Sequence, residues 1–174
     1  LTAPPPHERA LRKALEARVN FDEKPAEILK FLGAPHHLSA SGDIATRRVQ
    51  MKEILRDAVS RYLSETGEKH ISAARTPYLP ENFNPRGIEI AGVFAKTCSS
   101  HLMRLLFAAR LARPEIVVSI TRLASKVTSW SLSHDRAPRR LMHYVQHTAD
   151  LELVGSLSSR GLETAVLVLS PDAD

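Results

Sequence analysis

The residues best equipped for chemistry are few, and they are thinly grouped. His143 and His147 stand four apart, so on a helix both rings fall on one face, a geometry able to hold Zn²⁺ or Ni²⁺. No glutamate lies between them to act as a base and no third ligand stands nearby, which favours two ordinary helix histidines. Cys98 and His101 are three apart, but no acid in the sequence is placed to orient the imidazole for a thiolate nucleophile. Cys98 is the only cysteine, so no internal disulfide can form, and it reads as a small buried side chain. His36 and His37 follow Pro35 and read as exposed loop residues. Asp172 and Asp174 are acids near the end of the sequence; phosphoryl transfer by two metals needs several carboxylates around ions about 4 Å apart, so alone they read as solvated. The seven glycines are scattered and build no phosphate-cradling loop.

Arginine supplies a different kind of chemistry. Lys and Arg number 24 against 19 for Asp and Glu, a formal charge of +5. Arg47 with Arg48, Arg110 with Arg113, and Arg136 with Arg139 and Arg140 form clusters whose guanidinium forks match phosphate oxygens. The same clusters also fit plain solvated helix faces, and both readings stand. The excess charge favours a polyanionic partner. With 43% apolar and 25% charged residues the composition is that of a folded domain. No apolar run reaches the roughly 18 to 20 residues that span a bilayer, and the opening LTAPPPHERALRKAL lacks the order of a secretory signal. The expectation is an intracellular protein with no membrane partner, its compartment, cytoplasmic or nuclear, left open.

The elements that must position these side chains follow from periodicity. A short basic helix is expected over 8–19, with Leu11, Ala14, Leu15 and Val19 on one side, after prolines 4 to 6. Residues 28–33 and a second short stretch ending at Val49 read as two strands of a hairpin around a Pro/His/Ser/Gly loop containing Gly42 and Asp43. Met51, Ile54, Leu55, Ala58, Val59, Tyr62 and Leu63 then recur at helical spacing, with Gly67 as the stop. Residues 72–92 carry Pro77, Pro80, Pro85, Gly87 and Gly92 and read as an extended linker or a loop lying on the surface. A helix through Leu102, Leu105, Leu106 and Ala109 must end near Arg113 because Pro114 follows. A second places Val117, Ile120, Leu123, Ala124 and Val127 on one face. A third, capped by Ser133 or Asp135, runs through Leu141, Tyr144 and Val145 and tolerates Pro138 in its first turn. Two β segments, 151–157 and 164–169, close the sequence around a turn at 158–161.

The string HLMRLLFAARLARPEIVVSITRLASKV, followed by Trp130, Asp135, Arg140-Leu141, Tyr144, Thr148, Asp150-Leu151 and SPDAD, resembles the segment that joins reverse transcriptase to ribonuclease H in copia-type retrotransposon polyproteins. The order and spacing agree over roughly 80 residues with that family's leucine-rich helix, Arg-Pro-Asp-Ile box, Arg-Leu-x-x-Tyr-Leu helix and Ser-Asp-Ala-Asp ending. Earlier, Lys30-Phe31-Leu32-Gly33 is similar to the turn after the polymerase hairpin, Met51 to Tyr62 to the thumb helix, and Thr76-Pro77 to the pair that follows it. Glu115 stands where the family has Asp, and Pro171 intrudes before the final Asp-Ala-Asp.

The resemblance implies an α+β fold: a hairpin-plus-thumb-helix lobe, an extended linker, and a three-helix connection lobe ending in a β-hairpin that begins a truncated ribonuclease H-like sheet. The corresponding boundaries are 1–71 for the end of reverse transcriptase, 72–98 for the linker, 99–150 for the connection helices and 151–174 for the start of ribonuclease H. It implies Asp172 as the first ribonuclease H carboxylate and a ligand of Mg²⁺, the cofactor of the intact family, in an incomplete site. The Tyr-Val-Asp-Asp box of the polymerase has no counterpart in this sequence. The expectation is therefore a polyprotein fragment from a family that performs RNA-directed DNA synthesis and ribonuclease H cleavage, inactive and without a cofactor in isolation. Its partners would be an RNA or DNA duplex or hybrid, gripped weakly and without sequence preference through Arg47, Arg48, Arg136, Arg139 and Arg140, and the remainder of the polyprotein. The alternative is a non-catalytic basic helical module that binds nucleic acid or another protein.

Overall fold

Two changes of hydrophobic period, from two to about three and a half after Val49 and back to two after Asp150, set the architecture. The computed structural model describes residues 10, 13–19, 29–79, 90–158 and 160–161. Strand β1 (Lys30–Phe31) turns at Leu32 and Gly33, both at positive φ, into β2 (Ala34–Ser41). A two-residue turn at Gly42-Asp43 leads to β3 (Ile44–Val49), with His36 opposite Val49 and Ser41 opposite Ile44. Strand β4 (Leu153–Ser158) pairs antiparallel on the other side of β3, Leu153 opposite Val49 and Ser158 opposite Ile44, giving one sheet in the order β1-β2-β3-β4.

Residues 34–41, expected as a loop, are a strand. Their proline, histidine and serine content reads as irregular, but Ala34, His36, Leu38 and Ala40 alternate with Pro35, His37, Ser39 and Ser41, and the ladder to β3 makes use of that alternation. Pro35 is tolerated where its only strand neighbour on one side is the two-residue β1, so little ladder is lost. The partner of β4 is β3. Residues 164–169, expected to pair with this strand, lie outside the described residues, as do Asp172 and Asp174. The basic helix expected over 8–19 is helical at 13–16, with Leu15 and Val19 exposed rather than packed.

Helix α1 (Lys52–Thr66) buries Leu55, Ala58, Val59 and Tyr62. It ends at Gly67, whose φ of 66° lets its N–H reach the Leu63 carbonyl at 2.9 Å, a conformation that a side chain would strain. Helix α2 (Cys98–Ala112) stops at Arg113 because Pro114 disfavours helical backbone there. A 3₁₀ turn at Pro114–Ile116 feeds α3 (Val117–Ala124). Two further 3₁₀ turns, Val127–Ser129 and Leu132–Asp135, lead to α4 (Arg136–Thr148), where Pro138 sits in the first turn. Neither Ser133 nor Asp135 caps α4 through its side chain. Ser131 and His134 instead close a capping box on the preceding turn.

The four helices share a single core with the root of the sheet. Leu102, Leu105, Ile116, Ile120, Leu141 and Val145 are fully buried, and Ala34, Val49 and Met51 continue that core to the strands. Each buried aliphatic side chain contributes about 1.5–3 kcal/mol. The sheet runs on past the core: His36 is the last buried residue of β2, and Leu38, Ile44, Val154 and Leu157 are exposed.

Candidate nucleic-acid interface

The pleat of β3 decides what Arg47 and Arg48 can do. Successive strand residues face opposite sides, so these neighbours cannot form one patch. From the register, Arg47 shares the core-side face with Ala34, His36, Leu38, Ala40 and, across β4, Leu153, Gly155 and Leu157. Arg48 shares the outward face with His37, Ser39, Ser41, Thr46, Val154, Ser156 and Ser158, where a hydroxyl pair, Thr46 Oγ1 and Ser156 Oγ, meets at 3.1 Å. His37, Ser39, Ser41, Arg48 and Ser156 are all exposed. The core-side face therefore carries His36 and Arg47 among alanines and leucines, and the outward face carries hydroxyls, His37 and Arg48 beside the apolar Ile44 and Val154.

Arg47 donates from Nε at 2.9 Å and from Nη2 at 2.6 Å to the single nitrogen Nδ1 of His36. A guanidinium has no acceptor, so Nδ1 must carry a lone pair and the imidazole proton sits on Nε2. His36 is buried, only 7% exposed, and its ring meets Phe31 edge-on. Burial, then the charges of Arg47 and His37, hold its pKa below the ordinary histidine value.

The α4 arginines are bound into the protein. Arg139 donates from Nε to Glu68 Oε1 at 2.8 Å, and Arg140 donates to the Thr76 carbonyl and hydroxyl, both at 3.0 Å. One turn on, His143 meets Glu68 through Nε2 at 3.2 Å and the Ser72 hydroxyl through Nδ1 at 3.1 Å. Tyr62 adds its hydroxyl to Glu68 at 3.1 Å. Burial pushes the Glu68 carboxyl up, but the bonds from Arg139 and Tyr62 and the charges of Arg139 and His143 outweigh it and hold the group below the usual range. Burial and the Glu68 charge push the Tyr62 hydroxyl well above the ordinary tyrosine value. Arg139, Arg140 and His143 thus staple the segment 68–76 onto α4. Arg136 is exposed at the start of that helix. Among the five sequence candidates, Arg48 is the exposed one whose side chain shows no hydrogen bond or ion pair within the described residues.

The other candidates are also occupied. His147 is bonded through Nδ1 to the His143 carbonyl at 3.0 Å, and both ring nitrogens of His143 are already engaged by Glu68 and Ser72. His101 binds Glu65 at 2.6 Å, and Thr97 donates to the same carboxylate. Cys98 is buried, and burial raises its thiol pKa. No group of three or more His, Cys, Asp or Glu suited to a metal occurs among the described residues. The void between Tyr62, Phe94, Leu102 and Trp130 is about 10 Å³, at the lower limit for one water. An open groove along Ile54, Met103, Arg104 and Phe107 is larger, about 450 Å³. None of the described helices is long and apolar enough to cross a membrane.

Three features escaped sequence reasoning. The Arg47–His36 bond needed the strand register, which the composition of residues 34–41 concealed. Glu68 as a hub lies just past a helix stop, where an acid reads as solvated. Asp135 accepts from the Trp130 indole and from the Val93 N–H, both at 2.7 Å, a pairing for which a five-residue spacing gives no rule. No family model, no curated protein and no solved structure matches this chain.

Proposed function

We propose that this chain is the thumb and connection segment of a copia-type retrotransposon polyprotein, and that its own task is to hold an RNA or DNA duplex by the phosphate backbone. The sequence resemblance after residue 101 supports this reading, as does the α+β order of hairpin, helix, extended segment, three helices and strand. One observation carries it furthest: the β2–β3 hairpin and β4 stand clear of the core and present Arg48, His37 and a row of serine and threonine hydroxyls on one outward face. Hydroxyls and a guanidinium are backbone-contacting groups; they fix a duplex in place without reading its sequence. The proposed task is positioning, with the chemistry and its Mg²⁺ assigned to the intact polyprotein.

The test is a titration of RNA–DNA hybrid and of DNA duplex at several salt concentrations. Weak, sequence-independent binding is expected, with a log-log salt slope of about −1 for the one phosphate that Arg48 neutralises. Arg48→Ala should flatten the slope by about one unit. Arg139→Ala should instead lower stability, since its partner is Glu68. Tight binding that is indifferent to salt, or an Arg48→Ala variant identical to the parent, would overturn the reading.

A further inference from the structure

We propose that His36 is a proton-operated latch on Arg47: the neutral ring holds the guanidinium against the sheet, and protonation releases it toward the solvent to meet an anion such as a backbone phosphate. The anion half of this inference rests on the duplex-holding reading above and on a duplex that also reaches the core-side face, opposite Arg48, where Arg47 lies; the latch itself rests on geometry. Two N–H groups of one arginine converge on a nitrogen that can accept them only while unprotonated. A proton on Nδ1 turns the acceptor into a donor and sets two cations about 3 Å apart. His36 is buried, whereas Arg47 is exposed. Its cross-strand neighbour on β4 is Gly155, where an added Cβ would meet nothing within 4 Å, so the guanidinium has open space over that strand.

The groups around the imidazole leave little else to answer its charge. From β3 it faces Arg47, and along β2 its neighbour is His37. From β1 the Phe31 ring meets it edge-on. In its own row across the sheet stand Val49 and Leu153, neither of which titrates. No carboxylate hydrogen-bonds or ion-pairs with His36 among the described residues, so a proton on the ring gains no counter-ion and weakens the hold on Arg47. The depressed pKa of His36 is consistent with this and places the transition below the ordinary histidine range.

The test uses the whole chain. In ¹⁵N-resolved spectra the Arg47 Nε–H resonance should shift and exchange faster with water as the His36 ring takes up its proton. With an RNA–DNA hybrid at fixed ionic strength, lowering the pH from 7.5 to 5 should raise the affinity of the wild type about two- to fivefold more than that of Arg47→Ala, the worth of one exposed phosphate contact. His36→Gln, whose amide oxygen still accepts from Arg47 but does not titrate, should lose that extra gain while keeping the gain from the other histidines. An Arg47 Nε–H signal that ignores His36 protonation overturns the latch. A latch that opens without any wild-type excess over Arg47→Ala overturns the anion half. A chain that binds no hybrid at either pH removes the duplex-holding reading and the anion half with it, and the spectra then decide the latch alone.

Discussion

Arg113 shows how a charged residue can serve as core. It is 1% exposed, pairs through Nε with Glu115 at 2.6 Å, and donates to the Thr148 carbonyl at 2.8 Å and hydroxyl at 2.7 Å, so it joins the break after α2 to the last turn of α4. A cation at a helix C-terminus is favourable, and here it also fills the carbonyl's missing bond. Arg113→Ala should cost about 2–4 kcal/mol, since the Thr148 groups lose their donors, and Arg113→Lys should recover only part because an ammonium cannot match the fork. Urea denaturation of both variants checks this. Gly92 is a second test: a Cβ there would sit 2.5 Å from Asp135 Oδ1 and 2.8 Å from both the Ser131 carbonyl and Trp130 Cδ1. Gly92→Ala should destabilise by about 1–3 kcal/mol, again read by denaturant midpoint. The Arg-Pro pair at 113–114 was legible as a helix break; the buried role of the arginine was not, because sequence alone does not say which basic residue faces inward.

At the scale of elements, α1, α2, α3 and α4 were readable because each carries an apolar stripe at helical period and a proline or glycine near an end. The strand at 34–41 was not, since its apolar positions are weak, two alanines, a histidine and a leucine, and its other face is proline, histidine and serines. The segment after α1 is held on α4 through Glu68, Ser72 and Thr76, contacts set by tertiary packing that leave no local pattern in the sequence. This attachment has a pH signature. The folded Glu68 carboxyl lies below its ordinary value, so the stability it lends is complete above the unfolded carboxylate pKa and is lost as the pH falls through the lower folded value. His36 acts in the same sense at higher pH, since its folded pKa is also depressed and its contribution fades below the ordinary histidine value. Melting temperature should therefore fall in two steps on acidification. Glu68→Gln should weaken the lower step and leave the upper one, and a parent chain without an acid step below the carboxylate range would contradict this assignment.

Across the whole molecule, the α+β class and the balance of charge were legible early, whereas the joining of the first strands to the last was not, since strand pairing over such a separation has no local cue. That joining bears on the order of events in folding. Thr46 and Ser156 meet across the β3–β4 ladder although they stand 110 positions apart in sequence. Closing so long a loop before anything else has formed costs about 4 kcal/mol of chain entropy. Once the helices have packed, the cost has been met, because Asp150 just before β4 is held by Lys52 at 2.6 Å and Arg56 at 3.3 Å at the start of α1. The edge strand should then zip on late, after the rate-limiting barrier. Leu153→Ala is expected to speed unfolding and barely slow refolding, a φ-value below about 0.3, while Leu55→Ala in α1 slows refolding with a clearly higher value. Stopped-flow chevrons of the two variants measure this directly, and a Leu153→Ala chain that refolds as slowly as Leu55→Ala would place the strand inside the folding nucleus instead of at its margin.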